Sequence, residues 1–240
     1  MRRILITNDD GIASAGLYRL AAAAMEFGEV WVVAPESQRS AASHSITLHT
    51  TVDVFPRDDF PVPGVRAFAC SGMPADCVRT GIHYLLPEMP AAVLAGINYG
   101  YNAATDIQYS ATVGAAMEGS FQGCRAIALS EGAYPRHEVT DFYLRTVLAE
   151  LLETPLPWGQ IHNVNFPVCA LSECKGVLRD RIVSRGTFYR DRYRLESRLP
   201  DRGLRLMVDG QYNEDAEPDT DFRAIVDGYV SVGVVRNIGL

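Results

Sequence analysis

The chain has 240 residues, 48% hydrophobic and 21% charged, a balance that can build a buried core without disulfide or metal staples. Its 29 acidic residues outnumber 22 basic ones, for a net charge of -7. This argues against a general nucleic-acid coat, which needs clustered Lys and Arg, but not against a small phosphate ester, because a bound cation reverses the local field.

Met1-Arg2-Arg3-Ile4-Leu5-Ile6 enters a strand pattern directly and has no leader-like apolar segment. No later apolar run reaches the ~18 residues of a membrane span, so the expected location is cytoplasmic. Ile4–Ile6 reads as a buried strand ending in Thr7-Asn8-Asp9-Asp10-Gly11. Leu17, Leu20, Ala21, Ala24 and Met25 then share a helical face. Val30–Ala34 is a second buried strand, stopped by Pro35. The pattern predicts a helix over Cys77–Leu86, a strand over Ala92–Ile97, a helix over Val113–Phe121, a strand over Ala126–Leu129 and a helix over Phe142–Leu152. Strands apolar on both faces and separated by helices indicate an α/β fold with a parallel sheet covered on both sides. Beyond about Leu178 the chain is dense in Arg, Asp, Tyr and Gly, and runs such as Leu204–Val208 suggest β-hairpins. The expected division is a core over 1–177 and a β-rich extension over 178–240 that makes oligomer contacts and partly returns to the core. The five cysteines are scattered, none in a C-x-x-C pair, and read as reduced thiols.

Three polar clusters each follow a predicted strand, where open α/β sheets bind their ligands. The first contains Asp9 and Asp10. Adjacent carboxylates repel unless a cation or strong donors lie between them, and Mg2+ or Mn2+ favours one or two carboxylates with neutral oxygens. Ser40, in the second cluster, and Asn98, in the third, suit that neutral role. The plainer reading is a solvated Asn-Asp-Asp-Gly turn with Asp10 capping the next helix. Arg39, Ser40, Ser43, His44 and Ser45 offer convergent donors for a phosphate, or simply a polar loop; His44 is either an acid–base group or an ordinary loop histidine. Ser110 and Thr112 open the Val113–Phe121 helix, whose N-terminus is an anion site or a plain cap. No G-x-S-x-G, G-x-x-x-x-G-K-[ST] or helix-opening G-x-G-x-x-G motif is present. The Arg179–Arg198 stretch is diluted by Asp180, Asp191 and Glu196, so a solvated or subunit-contact hairpin is expected there and no stable nucleic-acid complex.

Taken together, Ile4-Leu5-Ile6-Thr7-Asn8-Asp9-Asp10-Gly11, Val33-Ala34-Pro35 with Ser40 and Ser43–Thr47, Ser71–Val78, Gly96-Ile97-Asn98-Tyr99-Gly100-Tyr101-Asn102, Tyr109–Gly119, Asn163–Pro167, Asp219-Thr220-Asp221 and Gly228–Val232 resemble the SurE survival-protein nucleotidases. The likeness runs in order along nearly the whole chain. It implies a Rossmann-like α/β fold with a swapped C-terminal extension, a homodimer or homotetramer, and a metal-dependent 5'/3'-nucleotidase acting on nucleoside monophosphates. Carried over by position, the metal ligands are Asp9, Asp10, Ser40 and Asn98. Asp9 and Asp10 take the catalytic role, and Asn98, Ser110 and Thr112 hold phosphate. The chain departs from the family pattern at Ala41 and Ala111, which stand where the family usually has glycine, at Ala104-Thr105, which replaces a glycine-containing approach to Asp106, and at Gly233–Arg236, which lacks the usual Thr-Pro ending. Alanine resists backbone angles that glycine accepts. The departures therefore motivate an alternative expectation, a metal- and nucleotide-binding protein with little or no turnover.

Overall fold

The computed structural model describes residues 2–236. In chain order it forms β1 (Arg3–Thr7), α1 (Ala15–Ala24), β2 (Glu29–Pro35), β3 (Val54–Pro56), β4 (Arg66–Cys70), α2 (Pro74–Thr80), β5 (Ala92–Tyr99), α3 (Ala111–Phe121), β6 (Arg125–Glu131), α4 (Glu138–Leu151) and β7 (Gln160–Phe166). The second part comprises β8 (Val177–Arg181), β9 (Tyr189–Arg190), β10 (Tyr193–Arg198), β11 (Leu204–Val208), β12 (Gln211–Tyr212), α5 (Asp221–Val226) and β13 (Val230–Arg236).

One nine-stranded sheet runs β3-β4-β2-β1-β5-β6-β7-β13-β8. From β4 to β7 all neighbours are parallel, in the doubly wound order of dinucleotide-binding sheets. β3 and β13 pair antiparallel with β4 and β7, and β8 adds parallel to β13. The strand order reverses at β1, whose Ile4–Ile6 lies between Val30–Val32 and Ala92–Leu94. The crevice beyond the carboxyl ends of β1 and β5 is therefore the topological switch point, where such sheets bind ligands.

The alternation of β1 divides the core. Ile4 and Ile6 pack with Leu17 and Leu20 of α1 and Leu144 and Leu148 of α4. Leu5 faces Val78 of α2 and Val113 and Met117 of α3. The helix expected over Cys77–Leu86 starts earlier, with Pro74 in its first turn, a place that suits a residue lacking an N–H. After Thr80 it widens into a π-turn over Gly81–Leu85. The strand expected over Ala92–Ile97 extends through Asn98 and Tyr99. β4 and β7 lacked the signature of large apolar and β-branched residues that marks β1 and β2, because β4 is built mainly from Ala67, Ala69 and Cys70 and β7 buries His162, Asn163 and Asn165. Beyond β8, the β10–β11 hairpin projects with nearly every residue exposed. No helix among the described residues is long and apolar enough to cross a membrane.

Candidate active site

The turn after β1 is rigid before any ligand is considered. Asn8 is fully buried, and its Nδ2 donates to Gly11 O at 3.0 Å and to Ser14 Oγ at 2.7 Å. Ser14 in turn caps α1 by accepting from the Leu17 N–H. The loop after β2 is tied to this turn by Ile12 N donating to Pro35 O and Arg39 N donating to Asp9 O, both at 2.7 Å. Gly11 adopts φ 98°, and a Cβ there would press on the Ser37 backbone.

Asp9 is 4% exposed, and the Thr112 hydroxyl donates to its Oδ1 at 2.5 Å. Burial pushes its carboxyl up to about 6; the Thr112 bond opposes this, and the Asp10 charge adds to it. Asp10 is half-buried and accepts the Tyr99 N–H at Oδ2, 3.1 Å away. It too is raised, by burial against the Tyr99 bond, with the Glu131 charge contributing. Neither carboxylate enters an ion pair among the described residues. The basic side chains are engaged elsewhere: Arg19 and His137 contact Glu131, Arg79 and His44 contact Glu118, and Arg39 donates to Ser71 O. Two adjacent carboxylates, both raised by burial and lacking a cationic side chain, form an electrostatic deficit that a bound cation would neutralise. Among the described residues no group of three or more His, Cys, Asp or Glu is placed to hold a metal. A cation here therefore depends on this pair and on neutral oxygens.

Of the two neutral candidates, Asn98 stands at the end of β5, beside β1. Its Nδ2 donates to Gly100 O at 2.8 Å, and its Oδ1 has no protein donor among the described residues. Ser40 is exposed and accepts from Gln38 Nε2 at 2.9 Å. Both hydroxyls expected to hold phosphate have protein partners: Ser110 caps α3 by accepting from Val113 N at 3.1 Å, and Thr112 gives its proton to Asp9. The α3 N-terminus itself, with its positive field and first-turn N–H groups, lies directly against Asp9.

The Ser40–Ser45 loop is fastened to α3. Ser43 donates through N to Tyr109 O at 2.9 Å and through Oγ to Gln108 O at 2.8 Å. A Cβ at Gly114 would sit 2.6 Å from Ser43 O, so only glycine permits this approach. His44 Nε2 meets Glu118 Oε2 at 2.9 Å and stacks on Phe121, which makes it an anchor of the loop. Burial pushes Glu118 up, but bonds from His44 and Gln122 and the charges of His44 and Arg79 outweigh it and hold its carboxyl down at about 2. The departures from the family pattern separate by geometry. Ala41 and Ala104 both take φ 54°, the left-handed region that favours glycine, whereas Ala111 opens α3 with no such demand.

Sequence reading missed the residues that hold the Asn98–Asn102 segment. Asn102 N donates to Asn165 Oδ1 at 2.9 Å, Asn163 and Asn165 both donate to Asn102 O, and Asn102 Nδ2 donates to Ser130 Oγ. The available signal was the pair of asparagines alternating with Val164 and Phe166. Glu131, 3% exposed, was also missed; it gathers Arg19 at 2.7 Å and Thr140 at 2.7 Å behind Asp10.

Comparison with known proteins places this geometry in a context. A family model described as "Survival protein SurE" matches residues 4–187. A 5'-nucleotidase SurE from Synechococcus sp. (strain JA-3-3Ab) is 40% identical over 240 residues, covering 95% of this chain and 89% of that protein. A 5'/3'-nucleotidase SurE from Erwinia tasmaniensis is 41% identical over 234 residues, covering 96% and 88%. The crystal structure of the SurE protein from Aquifex aeolicus superimposes with a TM-score of 0.83 at 31% identity, covering 98% of this chain and 93% of that one.

Proposed function

The chain belongs to the SurE family, and from that premise we propose that it is a phosphoric monoester hydrolase converting nucleoside 5'- and 3'-monophosphates to nucleoside and phosphate. The observation that carries the reading is the Asp9–Asp10 pair at the switch point, the first buried and the second half-buried, both raised by desolvation and without a cationic partner among the described residues. Asp9, Asp10, Asn98 and Ser40 would hold a divalent cation, Mg2+ or Mn2+, whose hard character matches an all-oxygen donor set.

Such a cation supplies Lewis-acid charge to phosphoryl oxygens and acidifies water. Asp10, the more exposed carboxylate, orients the attacking water and takes its proton. Thr112 fixes the rotamer of Asp9 through its 2.5 Å bond, and Asn8 keeps the turn from relaxing. The first turn of α3 binds the phosphoryl oxygens that gain charge as the ester bond breaks. The Asn102–Asn163–Asn165 cluster keeps Asn98 in register with Asp10. No side chain of this set needs to become covalently modified.

The test is release of inorganic phosphate from a panel of nucleoside monophosphates, each with several divalent metals. Metal-dependent release from AMP, abolished by EDTA and by Asp9→Asn, is expected. Steady turnover also excludes a silent binder, and near-normal turnover by folded Asp9→Asn at saturating metal would overturn the site assignment. The exposed β10–β11 hairpin is assigned to contacts between copies in a dimer or tetramer.

A further inference from the structure

The amino ends of the parallel strands, opposite the candidate active site, form a cleft of about 490 Å³. Arg2 precedes β1, Arg125 opens β6, and Pro155, Leu156 and Trp158 belong to the segment leading into β7. Its size falls in the range of small-molecule sites, and its chemistry is uneven. Arg125 has no carboxylate partner within ion-pair distance among the described residues; its guanidinium donates to the Leu152 carbonyl. Arg2 is paired with Glu153 at 2.7 Å, an outward-lying carboxylate. Trp158 is 53% exposed although its ring is held firmly: Nε1 donates to Phe121 O at 3.1 Å, and the ring packs on Phe121 with centroids 5.2 Å apart. A half-exposed indole anchored on Phe121, beside a guanidinium that makes no direct ion pair and shares only the field of Glu153 with Arg2, suits a ligand with a flat ring and an anionic group. Cys124, also in the lining, is pushed up to about 11 by burial and stays a neutral thiol.

We propose that this cleft is a second ligand site, for a nucleotide whose phosphate meets Arg125 and Arg2 and whose base stacks on Trp158. It lacks the carboxylate pair of the candidate active site and lies at the opposite end of α3, so its ligand is bound as an effector and left intact.

The test uses the full chain, with AMP as probe and acrylamide quenching of tryptophan fluorescence as readout. Trp31 is 5% exposed, so the quenchable signal comes from Trp158, and Trp158→Phe identifies it. AMP is expected to protect Trp158 saturably in the wild type and equally in Asp9→Asn, with ribose 5-phosphate protecting less. Arg125→Ala is expected to weaken the effect by roughly tenfold or more, the scale of a lost charged hydrogen bond. Arg2→Ala, a change at a half-buried position before the first strand, is expected to weaken it in the same direction and serves if Arg125→Ala fails to fold. No protection by AMP, or protection indifferent to both arginine variants, would overturn the proposal. Protection that follows protein concentration instead of AMP would assign the cleft to a second copy and overturn it as well. Because the readout needs no turnover, failure here is separable from failure of the nucleotidase reading.

Discussion

At Glu118 a buried carboxylate is held low by three neighbours, and this has a consequence for acid stability. Its folded value of about 2 lies below the ordinary 4.5, so its ionised form contributes stability above pH ~4.5 that is lost as pH falls toward 2. The contribution is about 3 kcal/mol by linkage. Glu118→Gln should remove that part of the acid dependence, measured as denaturant midpoints between pH 5 and 2.5, and should loosen the His44 loop. Ala104 offers a second residue-level test. Alanine at φ 54° bears a left-handed cost of roughly 1–2 kcal/mol. Ala104→Gly should therefore leave stability unchanged or raise it by up to about 1 kcal/mol, against the usual direction of such a substitution; a clear fall in thermal midpoint would show that the site is unstrained. That two of the three alanine departures fall at left-handed positions was not visible in the string. Sequence shows which residue is present, while φ belongs to the folded loops, where the neighbouring Ser43 and Thr105 bond to Tyr109 and Gly186.

Among the elements, α3 is the one on which the site turns. Its N-terminus touches Asp9, its Gly114 admits the Ser43 loop, and its C-terminal Phe121 supports both His44 and Trp158. Ser110→Ala removes the cap and should cost about 1 kcal/mol, read from chemical denaturation, with phosphatase activity falling further than that loss explains if the N-terminal turn also binds phosphate. The β10–β11 hairpin carries Tyr193, Leu195, Leu204, Leu206 and Val208 on one alternating face, all exposed. An apolar face of this kind marks an interaction surface. Leu204→Asp combined with Leu206→Asp should yield a smaller species by light scattering, with each copy still folded. Periodicity found β1, β2, β5 and β6 because their apolar runs are uninterrupted. It missed β7 because Asn163 and Asn165 are buried for their hydrogen bonds to Asn102, a partner about sixty residues distant in the chain.

For the whole molecule, the desolvated carboxylate pair predicts that metal is bound by the folded state in preference to the unfolded chain. A divalent cation at about 100 times its Kd should stabilise the protein by about 2.7 kcal/mol, visible as a raised thermal midpoint that EDTA reverses and Asp9→Asn abolishes. The sequence by itself determined the α/β alternation, the order of its polar clusters, and the identity of Asp9, Asp10, Ser40 and Asn98 as candidates, because strand burial and adjacent like charges are local properties that a linear string records. The tertiary structure alone decided that β1 is the strand where the order reverses, that Thr112 is committed to Asp9, and that Arg19 and Arg79 neutralise other carboxylates. Those outcomes depend on which distant segments the sheet and α3 bring within hydrogen-bonding reach, and no spacing along the chain encodes that distance.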